Sequence, residues 1–188
     1  MYSVLAVTGY KPHELGIFNE KHDHLPFLKR AIKKKLKQLK EEYDIEWIIT
    51  SGQPGVELWA AEAALELKQE LYNDMKVATL APFFEQEERW NGPVKDLYLN
   101  IWQRSDYKDY ITKRKYDNPA QLKMKNQFII DKSDAILVLY DEYTQGSPEY
   151  YLTYAKKKES ATGYPVIYLT PDEIEDTIRE EADDHSWN

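Results

Sequence analysis

Short runs of consecutive apolar residues alternate along the chain with longer segments in which apolar residues recur every three or four positions. The runs are typical of buried strands, and the periodic segments are typical of amphipathic helices. The clearest run is Ala135 to Tyr140, and the clearest periodic segment is Leu25 to Tyr43. Regular alternation of the two kinds predicts a mostly parallel sheet with helices packed on its faces.

Six strands and six helices are predicted from this pattern. The strands fall at residues 3–8, 46–50, 76–81, 107–112, 135–140 and 165–169. The helices fall at residues 25–43, 55–71, 93–104, 120–132, 148–158 and 171–181. A chain of 188 residues suits one domain. We therefore predict a single Rossmann-like three-layer α/β domain over residues 1–182 and a frayed acidic tail at residues 183–188.

Composition narrows the function classes. The chain has no cysteine, which excludes disulfides, thiolate nucleophiles and cysteine-based zinc sites. Its net charge of -8 argues against general nucleic-acid binding, which needs an excess of Lys and Arg. Every apolar stretch is too short to cross a bilayer, and the first residues lack the pattern of a signal peptide. We expect a cytoplasmic protein without membrane insertion.

The loops that follow the strands are the places to look for a site, because ligands of open parallel sheets bind beyond the carboxyl ends of the strands. The second strand is followed by Ser51 to Glu57, in which Gly52 suits a positive φ and Gly55 lets backbone approach a ligand closely. The free N–H groups at the start of the next helix favour an anion. The Gly146-Ser147 turn before another helix repeats this arrangement.

Together with Thr8-Gly9-Tyr10 after the first strand, these loops predict a pocket for a small phosphate-bearing ligand. The alternative stays open that they are ordinary strand-to-helix turns, in which glycine, serine and proline are common for local reasons. Neither the loop from Ser51 to Glu57 nor the Gly146-Ser147 turn is a Walker A loop or a G-x-G-x-x-G fingerprint.

Several segments resemble the SLOG superfamily, which includes the DNA-processing protein DprA and the Lonely-guy enzymes. They are the run Ser51 to Glu62, the segment Lys125 to Ile130 and the strand and loop from Ala135 to Glu149. The opening Thr8 to Pro12, together with the Glu-Leu-Trp-Ala-Ala-Glu part of the first run, is similar to the YpsA-like branch. The resemblance covers nearly the whole chain.

This resemblance implies a Rossmann-like fold and a nucleotide-type ligand, such as ADP-ribose or an NAD derivative. It also implies a regulatory role linked to cell division in Gram-positive bacteria. Gly55 and Glu57 match the glycine and the acidic residue of the family's ligand motif, and Lys125-Asn126 falls where relatives carry Arg-Asn. The expected ligand-binding residues are Thr8, Gly9, Tyr10, Ser51, Gly52, Gly55, Glu57, Lys125, Asn126, Gly146 and Ser147.

Two alternatives to ligand sensing are an enzyme that cleaves N-glycosidic bonds of nucleotides and an interaction protein with a vestigial pocket. For the enzyme, Glu57 and Glu149 are the candidate acid or base. In the Lonely-guy motif Pro-Gly-Gly-x-Gly-Thr-x-x-Glu, the glutamate position falls on Tyr150 here. Glu149 comes one residue early, which turns it about 100° away on a helix. Glu57 can also be a first-turn acid that complements the helix dipole.

Three further features leave alternatives open. His22 and His24 fit no strong metal motif, and we expect no metal site. The basic residues between 29 and 40 form either a solvated helix face or a docking surface for an acidic protein partner or nucleic acid. Among the many aromatic residues, Tyr10 and Trp90 are the candidates for stacking on a base, while the others are expected to pack. Homo-oligomerisation is also left open.

Overall fold

A computed structural model describes residues 2–186 of the chain. The strands are β1 Val4–Thr8, β2 Trp47–Thr50, β3 Lys76–Ala81, β4 Tyr107–Tyr110, β5 Ala135–Leu139 and β6 Val166–Leu169. The helices are α1 Leu25–Tyr43, α2 Val56–Glu70, α3 Gly92–Arg104, α4 Ala120–Lys132, α5 Pro148–Thr162 and α6 Pro171–Ser186. A short 3-10 helix, Pro12–Leu15, follows β1.

All six strands form one sheet in the order β4-β3-β2-β1-β5-β6, and every pairing is parallel. The predicted three-layer Rossmann-like fold is confirmed, with a sheet that is parallel throughout. The last helix runs further than predicted, to Ser186, so residues 183–186 of the expected tail are helical. Residues 187 and 188 of that tail lie outside the described residues.

Strand side chains alternate between two layers of core. Leu5 and Val7 of β1 pack with α1, α2, α3 and α6 on one face, whereas Ala6 packs with α4 and α5 on the other. This alternation follows from the two-residue period of a strand. Within residues 2–186, none of the helices combines the length and the apolar content that a membrane span requires.

The topology singles out one part of the sheet edge. From β1 the chain proceeds through β2 and β3 to β4 at one edge, and then returns to place β5 on the other side of β1. The loops after β1 and β5 consequently leave in opposite directions. Crevices of this kind, beyond the carboxyl ends of the strands, are where open α/β sheets bind ligands.

Candidate functional site

Glu57, in the first turn of α2, ties the ends of β1 and β2 together. Its side chain is fully buried. One carboxylate oxygen accepts hydrogen bonds from the backbone N–H and the hydroxyl of Ser51, both at 2.7 Å. The other accepts one from the hydroxyl of Thr8 at 3.0 Å. Since both oxygens bond to protein groups, Glu57 holds the two loops in fixed register.

Lys125, from α4, lies beside this cluster and is 4% exposed. Its ammonium contacts the hydroxyl of Tyr151 from α5 at 3.2 Å. Within residues 2–186, no carboxylate lies within ion-pairing distance of its Nζ. The pKa of Lys125 is lowered to about 8, mainly by burial and slightly by the positive charge of Lys11, while the negative charge of Glu57 opposes the shift. Lys125 is therefore a buried cation without a direct counterion.

Tyr151 connects the lysine to the Glu57 cluster. Burial raises the pKa of the Tyr151 hydroxyl well above its ordinary value, and the charge of Glu57 raises it further, while a hydrogen bond with Ser51 lowers it. The phenol therefore remains protonated at neutral pH. Tyr151 was not among the predicted site residues. Its only signal in the sequence is its place in the first turn of a helix that follows a buried strand.

Two buried polar atoms near these residues have no hydrogen-bond partner within the described part of the chain. They are the Oδ1 atom of Asn126, which follows Lys125 in α4, and the Nε2 atom of Gln53, in the loop after β2. Native proteins satisfy nearly all such groups, so unpaired ones need an explanation. A free donor, a free acceptor and an uncompensated ammonium are the groups that a polar anionic ligand would engage.

Close packing within the chain explains the glycines of the first two loops. Gly55 has φ 92°, and a Cβ atom there would collide with the carbonyl oxygen of Tyr10. The first N–H of α2, that of Val56, donates to the same carbonyl at 3.1 Å. A Cβ on Gly9 would lie 2.7 Å from the side chain of Val56. The close approach predicted for Gly55 is thus to the loop after β1, and a larger residue there would disturb the fold as well as any ligand.

Gly52 has the positive φ predicted for it, 74°. A Cβ on Gly52 would lie 2.5 Å from the ring of Tyr98, so this loop packs directly against α3.

At the β5–α5 loop, a carboxylate of the chain occupies the position predicted for a phosphate. Ser147 N–H, at the start of α5, donates to Glu14 Oε2 at 2.8 Å, and Lys11 N–H donates to Glu14 Oε1 at 2.7 Å. A Cβ on Gly146 would meet the same carboxylate, so a larger residue there would require Glu14 to shift. Glu14 was missed, although Lys11 to Glu14 has the spacing of a capping box.

The structure separates the other predicted residues from the buried cluster. Tyr10 is fully buried, and its hydroxyl donates to the carbonyl oxygen of Thr144 at 2.6 Å, so it has no open face for stacking on a base. Glu149 and Tyr150 are both exposed on α5. The Gly146-Ser147 turn connects to the first loop through Glu14. The loops after β1 and β2 and the middle of α4 are therefore the core of the site.

A cavity of about 940 Å³ lies next to these loops, between the 3-10 helix and the starts of α2 and α3. Its lining includes Pro12, Pro54 and Gly55 from the first two loops and Trp90 from the segment before α3. The buried Glu57 and its partners are absent from its lining. Trp90, the second stacking candidate, is therefore the one that borders open space.

The basic face of helix α1 is largely solvated, as the first of the two interpretations left open for it has it, and its cations are paired. Its cations form ion pairs with acids of α1 itself, α2, α6 and the turn before β3, and they hold these elements together. The pairs are Lys29 with Glu62, Arg30 with Glu181, Lys33 with Glu66 and Glu70, Lys34 with Glu180, Lys35 with Glu173, Lys37 with Glu41, and Lys40 with Asp44 and Asp74.

The two histidines before α1 contact each other at the surface. The rings of His22 and His24 lie 5.5 Å apart, and the backbone N–H of His24 donates to the Nδ1 of His22 at 3.2 Å. Within residues 2–186, no group of three or more His, Asp or Glu side chains is arranged to hold a metal ion.

A Rossmann-like domain with this arrangement at its sheet edge matches a known class of proteins. A family model described as the YspA SLOG family matches residues 5–174. The chain therefore belongs to the YpsA family of SLOG proteins, as the sequence predicted.

Close relatives occur in bacilli. The chain is 49% identical to the UPF0398 protein YpsA of Bacillus subtilis (strain 168), over 95% of this chain and 98% of that protein. It is 48% identical to a UPF0398 protein of Bacillus cereus (strain G9842), over 98% of this chain and 97% of that one.

A solved structure of DNA processing protein A from Helicobacter pylori superposes with a TM-score of 0.57 at 15% identity. The match covers 88% of this chain and 64% of that protein, which is described by its single-stranded DNA binding mode. At this identity the likeness shows a shared fold.

Proposed function

We propose that the chain binds a small anionic ligand of the nucleotide type, ADP-ribose and NAD derivatives included, at an anion site made of Gln53, Lys125 and Asn126. The observation that carries the proposal is the buried ammonium of Lys125, which has no carboxylate partner in the described chain. Burying an unpaired charge is costly. A phosphate would supply the missing counterion, and sugar hydroxyls would satisfy the unpaired amide groups of Gln53 and Asn126.

The geometry supports binding more than catalysis. Hydrolysis of a glycosidic bond usually needs two carboxyl groups on opposite sides of that bond. Here Glu57 is the buried acid of the cluster, and both of its oxygens already accept hydrogen bonds from Thr8 and Ser51. Glu149 is exposed on α5. A regulatory protein that senses its ligand fits these facts better than an N-glycosidase, and a ligand effect on cell division is the biological role that the family resemblance favours.

Thermal-shift and calorimetric titrations with ribose 5-phosphate, AMP, NAD and ADP-ribose test the proposal. Binding to the folded state raises the melting temperature by mass action. We expect one or more of these probes to stabilise the protein, and Lys125→Met to weaken the binding at least tenfold, about 1.4 kcal/mol. Lys40→Met is the matched control, because Lys40 is similarly covered but lies on α1. Equal affinity in the wild type and Lys125→Met would refute the anion site.

Turnover is measured in the same samples. Release of free base from AMP, lost in Glu57→Gln, would support the enzyme instead. If no probe binds and a protein partner still recognises Lys125→Met, the interaction protein with a vestigial pocket becomes the better description.

A second candidate function is the binding of single-stranded nucleic acid by residues 107–132, the basic segment. It carries seven lysines and arginines against three aspartates, in a chain with a net charge of -8, and all of these cations except Lys125 lie outside the buried core. Tyr107 and Tyr116 are half exposed, and Phe128 of α4 is 39% exposed. Proteins that bind single-stranded nucleic acid commonly combine cations, which attract the phosphates, with exposed aromatic rings, on which the bases stack. The overall charge therefore does not decide against nucleic acid at this surface, and the solved neighbour binds single-stranded DNA.

Fluorescence anisotropy of a labelled oligo-dT tests this second candidate at several salt concentrations. We expect weak binding that falls with salt and is reduced several-fold by Tyr107→Ala combined with Tyr116→Ala. Lys34→Gln on α1 is the control, because Lys34 is already paired with Glu180. Lack of binding at low salt, or an equal loss in the control, would eliminate this candidate.

A further inference from the structure

We propose that the cavity beside the first two loops, the base cavity, holds the planar aromatic group of the ligand while the anion site holds its phosphate. This inference rests on the proposed function and assigns a second half to the same site. Its volume of about 940 Å³ lies in the range of small-molecule pockets, about 300–1,000 Å³.

Aromatic and proline side chains form the walls of the base cavity. Trp59 of α2, Trp90 and Phe18 contribute rings, and Pro12 and Pro54 contribute flat apolar faces. Flat apolar walls of this kind suit a planar ring system better than a flexible chain, because rings stack on them with little loss of conformational freedom. A purine or nicotinamide ring is therefore the chemical group that the lining favours.

Two pairs of consecutive residues connect the base cavity to the anion site. The charge of Lys11 acts on Lys125, and the next residue, Pro12, lines the cavity. Gln53 carries the unpaired amide of the anion site, and the next residue, Pro54, also lines the cavity. Since consecutive Cα atoms are 3.8 Å apart, the loops after β1 and β2 each pass from the neighbourhood of the anion site to the wall of the cavity within one residue.

Trp90 is the stacking residue in this assignment, because neighbouring rings hold it in place. Its ring meets that of Tyr98 edge-on, with centroids 5.3 Å apart. Tyr98 in turn is buried and packs against Gly52, in the loop that carries Gln53. A ring that stacks on Trp90 would therefore act, through Tyr98, on the loop that carries Gln53. Ligand binding could rearrange this part of the surface through these contacts.

Three probes separate the two halves of the site: ribose 5-phosphate, which has no base, adenosine, which has no phosphate, and AMP, which has both. Tryptophan fluorescence and calorimetry report their binding. We expect Trp90→Leu to weaken AMP and adenosine about tenfold and to leave ribose 5-phosphate unchanged. We expect Lys125→Met to weaken the two phosphates and leave adenosine unchanged.

Two further variants guard against a trivial loss of folding. Phe18→Leu changes a ring that is 78% exposed, and it should weaken AMP without lowering the melting temperature. Trp102→Leu is the matched control, because Trp102 packs on Tyr98 but does not line the cavity. It should leave the affinity for AMP unchanged.

The outcomes distinguish the two proposals. Unchanged AMP affinity in folded Trp90→Leu, or an equal loss for AMP and ribose 5-phosphate, would overturn the base cavity and leave the anion site standing. Failure of ribose 5-phosphate to bind the wild type, with adenosine binding that Trp90→Leu abolishes, would overturn the anion site and support the cavity. If none of the three probes binds the wild type, both assignments are wrong.

Discussion

Two lysines of this protein are covered almost equally and behave in opposite ways. Lys40 of α1 is 5% exposed, and Lys125 of α4 is 4% exposed. Burial lowers the pKa of Lys40, but hydrogen bonds with Asp74 and Asp44 outweigh it, so the pKa is raised overall. Burial lowers the pKa of Lys125 to about 8, because the charge of Glu57 compensates only in part.

The difference lies in where each ammonium ends. The stem of Lys40 is buried, but its Nζ reaches Asp44 and Asp74, whose side chains are 68% and 60% exposed. This is the common snorkelling arrangement, in which the charge stays close to water. The ammonium of Lys125 stays inside, against Tyr151. The first lysine supports the fold through two ion pairs, whereas the ammonium of the second contacts only a buried phenol and has no carboxylate at ion-pairing distance. Functional sites commonly retain such destabilising arrangements.

The largest expected effect is therefore that replacing the two lysines changes the free energy of unfolding in opposite directions. Lys125→Met should leave the free energy of unfolding unchanged or raise it by about 1 kcal/mol or more, because it removes an uncompensated buried charge at similar volume. Lys40→Met should lower it by about 0.5–1 kcal/mol, after allowance for the solvent screening of its exposed partners. Urea denaturation of both variants at pH 7 measures the two values.

A loss of several kcal/mol in Lys125→Met would break the comparison. It would mean that the ammonium is needed by the fold, through Tyr151 and Glu57, and that its lack of a counterion does not indicate a ligand. Lys125→Gln, which keeps a hydrogen-bond donor near Tyr151 without the charge, then shows whether the hydrogen bond or the charge is responsible.

The sequence predicted the elements that frame both lysines with little error. The bounds of α1 and α4 agree with the structure at each end. In α1 the apolar residues keep a strong helical period, whereas α4 begins directly after Pro119 and ends before Ser133. The last strand and the α2 boundaries shift by one residue. Local pattern decides these features, and local pattern is what a single sequence displays.

The candidate site was predicted less completely, because it depends on contacts between distant residues. The loop from Ser51 to Glu57 was chosen from its place after a strand, and the family resemblance added Lys125. The structure does bring Ser51, Glu57 and Lys125 together. Glu14 and Ser147 are 133 positions apart, and nothing in either segment indicates that they bond. The pairing of the α1 lysines with acids of α2 and α6 likewise requires knowing which helices are neighbours.

The next expected effect in size is a difference between Lys125 and Lys40 in how their contributions to stability change with pH. The pKa of Lys125 is about 8 in the folded protein and near its ordinary 10.5 in the unfolded chain. Between these values the unfolded chain binds more protons, so this residue makes stability rise with pH. Lys40 has a raised pKa, so its contribution is complete below its ordinary value and is lost as the pH rises through the folded value.

Denaturation of the wild type and Lys125→Met from pH 7 to pH 10 tests this point. Any advantage in stability of Lys125→Met should shrink towards pH 10, as the wild-type amine becomes neutral. Over the same range, ribose 5-phosphate should bind the wild type more weakly above pH 8, because a neutral amine does not attract a phosphate. A difference between the two proteins that is independent of pH would show that Lys125 does not titrate in this range.

The smallest expected effect belongs to the exposed ion pairs of α1. Lys34 and Glu180 are 53% and 63% exposed, so water and salt screen their attraction. Lys34→Gln should lower the free energy of unfolding by less than about 0.5 kcal/mol, and the change should disappear in 1 M NaCl. Urea denaturation at low and high salt measures both values. A loss above 1 kcal/mol that persists in salt would show that α6 depends on this pair for its position. A small loss that salt removes would show that this exposed pair adds little to the position of α6, as its solvent screening predicts.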